Sequence, residues 1–267
     1  MKAIDLVVGV DQALDDTGIA VVVPLSVYAN HPPGLVAFMK FLGDFLPIAD
    51  ERFHDRQDAV TEMLVRVADA IKNNAGPGSF ALIPMGRKRK NSPFAFVDAN
   101  QTLVFHFCLS NAVSQGAEYL LADLSAEKLS IMVRALAEAF PLNPPQVILE
   151  ALALRGSMQS IQILPVLAVV FAAFMRSLHA NSSIAMSMIG HINVGTWKLA
   201  FANKGNADKK EIKDLVVAQG AHPDISDDES DAIAIALCVS ARHEKVLAGM
   251  IYGGRILPRK TQGESER

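Results

Sequence analysis

Two apolar blocks open the chain, Ile4 to Val10 and Gly18 to Val23, with the polar stretch Leu14 to Thr17 between them. This pattern predicts a β-hairpin. From Pro24 to Leu121 the pattern is less regular. Pro32-Pro33 breaks the chain, after which Leu35 to Phe45 and Asp58 to Lys72 carry helical spacing. The second of these places Val60, Met63, Leu64 and Val67 on one face. Asn73 to Gly78 is a turn cluster, followed by β-like runs at Phe80 to Pro84, Phe94 to Val97 and Thr102 to Cys108.

Beyond residue 121 the elements are easier to place. Ser125 to Phe140 predicts a helix with Ser125 suited to its N-cap, and Pro141 to Pro145 leads into a strand from Gln146 to Leu149. A long helix from Ser157 to Leu178, bent at Pro165, precedes a strand from Ser183 to Met188. Helices at Asp208 to Gln219 and Glu229 to Glu244 close the pattern, separated by GAHPDISD. The order predicts an α/β layer fold, a mixed sheet flanked by helices. One domain is expected over residues 1–258, including an insertion at about 24–121, with a disordered polar tail at 259–267.

At 51% hydrophobic residues the chain can bury a substantial core. Cys108 and Cys238 lie in apolar stretches without metal-ligand spacing, which predicts buried free thiols in a reducing compartment. The start, MKAIDLVVGVD, does not read as a signal peptide. The most apolar stretch, Ile163 to Met175, covers about 13 residues and contains Pro165, short of the roughly 18 a membrane span needs. The net charge of -3 is against general nucleic-acid binding, but the basic residues are clustered. Arg87, Lys88, Arg89 and Lys90 form one run; Lys198, Lys204, Lys209, Lys210 and Lys213 crowd a later segment. Either group could neutralise phosphates or form an ordinary solvated surface.

Four acidic residues carry the candidate chemistry. Asp11 ends the first apolar run and Glu150 ends QVILE. Asp228 and Asp231 lie three apart at the front of DESDAIAIALCVSA and therefore face the same way on a helix. Carboxylates at strand ends and on one helix face suit two Mg²⁺ ions about 3.5–4 Å apart that act on a phosphodiester. Structural alternatives exist: Asp228 as a helix cap, a role open also to Asp227 or Ser226, and Asp11 as an Asx-turn residue. Asp231 and Glu150 interrupt apolar runs, where an unpaired carboxylate is costly. No phosphate loop, nucleophile elbow, HExxH pair or dinucleotide fingerprint is present, so no nucleotide cofactor is expected. His54, His106 and His191 are read as structural.

The segments resemble the RuvC family of Holliday-junction resolvases, which has a ribonuclease-H-like fold. Gly9-Val10-Asp11 followed by Thr17-Gly18 matches that family's opening. Glu150 stands ahead of a long helix, and Trp197-Lys198 through Lys209 matches its lysine-bearing stretch. Asp228 to Ala236 fits its closing D-x-x-D-A pattern. The match covers roughly Ile4 to Val23 and Ser125 to His243.

The resemblance implies a metal-dependent endonuclease that cuts branched DNA as a homodimer in the bacterial cytoplasm. Asp11, Glu150, Asp228 and Asp231 would be the Mg²⁺ ligands, with Mn²⁺ able to substitute. Lys198 and Lys209 would contact the DNA backbone or assist near the scissile phosphate; Lys204 and Lys210 join them as DNA-binding candidates, and Lys209 is also counted with the catalytic residues. Gln12-Ala13 replaces the family's Pro-Gly, and Ala153 replaces its aromatic after the second acidic residue. The 24–121 stretch is far longer than the family's usual link. Its Arg87 to Lys90 run is a candidate for extra DNA contact. Such divergence suits a bacteriophage or other mobile element. A flap, fork or structured-RNA nuclease of the same fold remains an alternative, as does a metal-free binding module. The actin-like ATPase fold shares the G-[IV]-D hairpin, but the second phosphate loop it needs is not evident.

Overall fold

The opening hairpin forms the middle of the sheet. In a computed structural model, strand β1 (Val7–Asp11) pairs antiparallel with β2 (Asp16–Val23), with Asp11 opposite Gly18 and Gly9 opposite Ala20. The structure describes residues 6–11, 16–54, 56–72, 80–83, 92–98, 100–110, 118–151, 189–240, 251–252 and 255–256.

On one side the sheet grows through three antiparallel strands, β3 (Phe80–Ile83), β4 (Ser92–Val97) and β5 (Leu103–Ser110), with β5 against β2. On the other side β6 (Gln146–Glu150) and β7 (Ile189–Ile192) run parallel to β1, and short β8 (Ile251–Tyr252) and β9 (Arg255–Ile256) finish the edge. The strand order is β3-β4-β5-β2-β1-β6-β7-β8-β9. An antiparallel hairpin flanked by parallel β6 is the expected ribonuclease-H-like arrangement.

Both faces of the central strands are covered, which is why their sequences read as unbroken apolar runs. Val8, Val10, Ile19 and Val21 pack against α2 (Pro32–Ala49), α3 (Gln57–Lys72) and α4 (Glu118–Ala139), where Phe38, Leu42, Val60, Leu129 and Met132 are buried. Val7, Ala20, Val22 and Ile148 face α5 (Val194–Ala202), α6 (Lys209–Ala218) and α7 (Asp227–Ser240). A short helix, α1 (Leu25–Asn30), leads from β2 into α2.

Several boundaries differ from the expected ones. Helix α2 begins at Pro32, not after the two prolines, because the first helical positions need no N–H partner. Helix α4 begins at Glu118, so Ser125 lies inside it and is not its cap. Helices α1 and α5 have no counterpart in the sequence pattern. The expected helix at Ser157 to Leu178, the strand at Ser183 to Met188 and the tail at 259–267 lie outside the described residues. Cys108 and Cys238 are buried and free, as expected. Among the described residues no helix is long and apolar enough to cross a membrane.

Candidate metal and phosphate site

Two glycines bring the helix to the strands. A Cβ on Gly9 would lie 2.3 Å from the carbonyl oxygen of Ala232, and one on Gly18 would lie 2.2 Å from that of Asp228. Any side chain at either position would push α7 off the hairpin. Because Gly18 is the register partner of Asp11, this close approach sets the first turn of α7 beside the end of β1. Val10 pairs with Leu149 on the parallel neighbour, so Glu150 ends alongside Asp11. Carboxyl ends of parallel strands are where open α/β sheets form their binding crevices.

The four sequence-predicted carboxylates lie near enough here to act on one another electrostatically. Burial raises the pKa of Asp11 well above its ordinary value, and the charges of Glu150, Asp231 and Asp228 raise it further, against a lowering by Lys209. Asp231 is pushed up to about 6, chiefly by burial; Lys198 and Lys209 pull it down while Asp228 and Asp227 push it up. Its Oδ1 is buried with no hydrogen-bond partner among the described residues. Burial works against the ammonium of Lys209, but Asp228, then Asp231 and Asp11, outweigh it and raise its pKa. Lys209 Nζ stands 3.4 Å from Asp228 Oδ1.

Asp228 does not cap its helix. Ser226 does: its Oγ accepts the Glu229 N–H at 3.1 Å, and Glu229 Oε2 accepts the Ser226 N–H at 3.0 Å. Asp228 is therefore left to the cluster. Glu150 has a partner that sequence reasoning missed, for Trp197 Nε1 donates to Glu150 Oε2 at 3.0 Å from a fully buried ring. The only signal was a tryptophan beside Lys198 in the lysine-bearing stretch.

The basic residues divide. Lys198 is buried, its ammonium donating to the Ala207 carbonyl at 2.8 Å and lying 5.3 Å from the Trp197 ring centroid. It is turned inward, and its charge reaches Asp231. Lys204 and Lys210 are exposed and paired with Glu211 and Asp214 at 2.6 and 2.7 Å. Arg87, Lys88, Arg89, Lys90 and Ala153 lie outside the described residues.

The donor set fits a hard divalent cation: carboxylate oxygens, one of them buried and unpartnered. Yet among the described residues no group of three or more His, Cys, Asp or Glu is placed to hold a metal ion as it stands. The carboxylates are near enough to act on one another's protonation without converging on one point.

No protein-family model matches the chain. No curated protein matches it either. Among solved structures, it is similar to Thermus thermophilus RuvC at 14% identity and a TM-score of 0.41, covering 90% of this chain and 97% of that one. It is also similar to T. thermophilus RuvC in complex with a Holliday junction substrate, at 10% identity and a TM-score of 0.47, covering 93% and 99%. The likeness is one of fold alone.

Proposed function

We propose that this protein is a metal-dependent endonuclease that hydrolyses phosphodiester bonds in branched DNA, with four-way junctions as its leading substrate and a homodimer as its working form. The domain reading goes with it: one ribonuclease-H-like nuclease domain over residues 1–258 that includes the 24–121 segment. What supports the reading is a single observation. Carboxylates from β1, β6 and α7 act on one another around Asp11, beside the cation of Lys209 and with a buried, unpartnered oxygen on Asp231.

Asp11, Glu150, Asp228 and Asp231 are the residues that would hold two Mg²⁺ ions. When bound, such ions neutralise phosphate charge and lower the pKa of the attacking water. Asp11 from the middle of the sheet, Glu150 from β6 and Asp228 and Asp231 from α7 would supply the carboxylate oxygens. Lys209, more than half exposed, supplies a positive charge that a phosphate can approach from solvent. Lys198 acts from within, offsetting the charge of Asp231. Lys204 and Lys210 can reach phosphates only by leaving Glu211 and Asp214, a small cost for exposed pairs.

The test is cleavage of labelled four-way junctions, flaps and linear duplex in Mg²⁺ and Mn²⁺, with Asp231→Asn and Asp11→Asn alongside. Symmetric junction cuts lost in both variants are expected, with DNA binding retained. Cutting that survives in either variant sinks the site assignment. Preference for flaps, forks or structured RNA keeps the chemistry and replaces the substrate. No mutant-sensitive cutting, with no heat of metal binding in calorimetry, turns the reading to a metal-free binding module. Protons compete with cations for carboxylates, so Mg²⁺ binding should weaken as pH falls through about 6, where Asp231 takes up its proton.

A further inference from the structure

A second buried acidic site shares the first turn of α7. Glu229 follows Asp228 and precedes Asp231 by two positions, but its carboxylate is held by partners outside the acidic cluster around Asp11. Its Oε1 and Oε2 receive a two-pronged contact from Arg52 Nη2 and Nη1, both at 3.1 Å. His106 Nδ1 lies 3.0 Å from Oε1. Arg52 is gripped from behind by Asp50: its Nε lies 3.0 and 3.1 Å from the two carboxylate oxygens, and Nη2 lies 2.6 Å from Oδ2. Asp50 is itself fixed by the N–H groups of Cys108 and Arg52, each at 3.0 Å. The side chains of Asp50 and Glu229 are fully buried.

Register shows what this network holds. Asp11 pairs with Gly18, and Gly18 pairs with Cys108 on the far side of β2. The first turn of α7 therefore spans from β1 to β5. Its Asp228 and Asp231 lean toward Asp11, while Glu229 reaches the β5 side. Asp50 and Arg52 follow α2 and His106 sits on β5, so three of the four charged or ring partners come from the segment between β2 and α4.

We propose that Arg52 and Glu229 are positioning residues: the Asp50–Arg52–Glu229–His106 network locks the first turn of α7 in rotation and depth, and so aims Asp228 and Asp231 at the metal position. The long segment after the first hairpin then has a defined use, as the wall against which the α7 carboxylates are braced. This inference rests on the metal-dependent nuclease reading. A general stabilising role is the lesser account, since a buried ion cluster seldom stabilises a fold more than well-packed apolar side chains do. Its distinctive capacity is directional. The fork of Arg52 fixes the carboxylate plane of Glu229, which a lysine cannot do. Partners that orient ligands from behind are worth about 10–100-fold in metal affinity.

The experiment is a Mn²⁺ titration by calorimetry on the full chain, with thermal unfolding and metal-free binding to a four-way junction measured on the same samples. Arg52→Lys keeps the charge and loses the fork; Val60→Ala, in the other helical layer, supplies a destabilised control. Arg52→Lys is expected to weaken Mn²⁺ binding by about 10-fold or more while junction binding is unchanged. Val60→Ala should lower the unfolding temperature and leave Mn²⁺ affinity at the wild-type value. If Arg52→Lys does not fold, Ser226→Ala takes its place, removing the cap that ties Glu229 to its turn. A measurable loss of Mn²⁺ affinity supports the inference, and wild-type affinity in a folded variant overturns it. Equal losses in Val60→Ala and Arg52→Lys also overturn it, by reducing the effect to stability. A wild-type chain that takes up no Mn²⁺ overturns the nuclease reading and this inference with it, an outcome distinct from the others.

Discussion

Glu229 and Asp231 are two residues apart on one helix, both buried, and their surroundings push them in opposite directions. Burial alone would raise both. At Glu229 the Arg52 guanidinium, then His106, outweigh burial and hold the carboxyl well below its usual range. At Asp231 burial prevails, two lysines only partly oppose it, and the pKa rises to about 6 with one oxygen left unpartnered. One carboxylate is held by a guanidinium and an imidazole at hydrogen-bond distance; the other has only the charges of Lys198 and Lys209, which do not offset its burial. The difference teaches that two buried acids on one helical turn can be set apart by their partners, a distinction that burial or charge count alone would miss.

The sharpest way to break this comparison is to remove each acid in turn from metal-free protein. Glu229→Ala takes from Arg52 and His106 the buried carboxylate they share and should destabilise the fold by about 3–5 kcal/mol in urea unfolding at pH 7. Asp231→Asn should do the reverse. It removes a charge held at a cost, so the metal-free chain gains on the order of 2 kcal/mol at pH 7 while losing cleavage. Destabilisation by both variants would refute the contrast.

The pH dependence separates the two acids again. Asp231 has a folded pKa of about 6 against an ordinary 3.8, so the native state holds a proton that the unfolded chain releases. Metal-free stability should therefore fall as pH rises from 3.8 to 6 and stay low above it. Glu229 is depressed from an ordinary 4.5, so its contribution is present above that value and is lost as pH falls below it. Asp231→Asn should reduce the first slope to the share that Asp11, also raised by burial, contributes, and leave the second.

The site was more legible in the sequence than the structure supporting it. Asp11 and Glu150 stood out because two-sided burial turns β1 and β6 into apolar runs, against which a terminal carboxylate is conspicuous. Asp228 and Asp231 stood out by helical spacing. Gly9 and Gly18 were visible as part of a motif, but their reason, contact with the α7 backbone, needed three dimensions. The Arg52–Glu229 pair joins residues 177 apart and leaves no local pattern. His106 was read as structural, and nothing in VFHFCL names its partner. Helix α5 was missed for another reason: the apolar residues of VGTWKLAFA are spread around the helix, so its amphipathic signal is faint. The early start of α4 escaped because Ser125 offered a plausible cap in the wrong place.

The smallest expected effect lies at the boundary between the provided and the unprovided acids. Glu150 belongs to the acidic cluster around Asp11, yet one of its oxygens is held by Trp197, the chain's single tryptophan. A carboxylate already bound to an indole N–H must either share that oxygen with a cation or turn the other one toward it. Either response changes the field along the indole, whose ring is shielded from water. Mg²⁺, which does not quench fluorescence, should therefore shift or dim the emission of Trp197 in a saturable way. Glu150→Gln should abolish that response while the ring stays buried. Saturable Mg²⁺ heat with unaltered emission would place the cation away from Glu150, leaving Asp11 and the α7 pair as its holders. Emission that follows Mg²⁺ equally in Glu150→Gln would trace the signal to a general tightening of the fold. Only a Glu150-dependent response joins β6 to the same centre as α7.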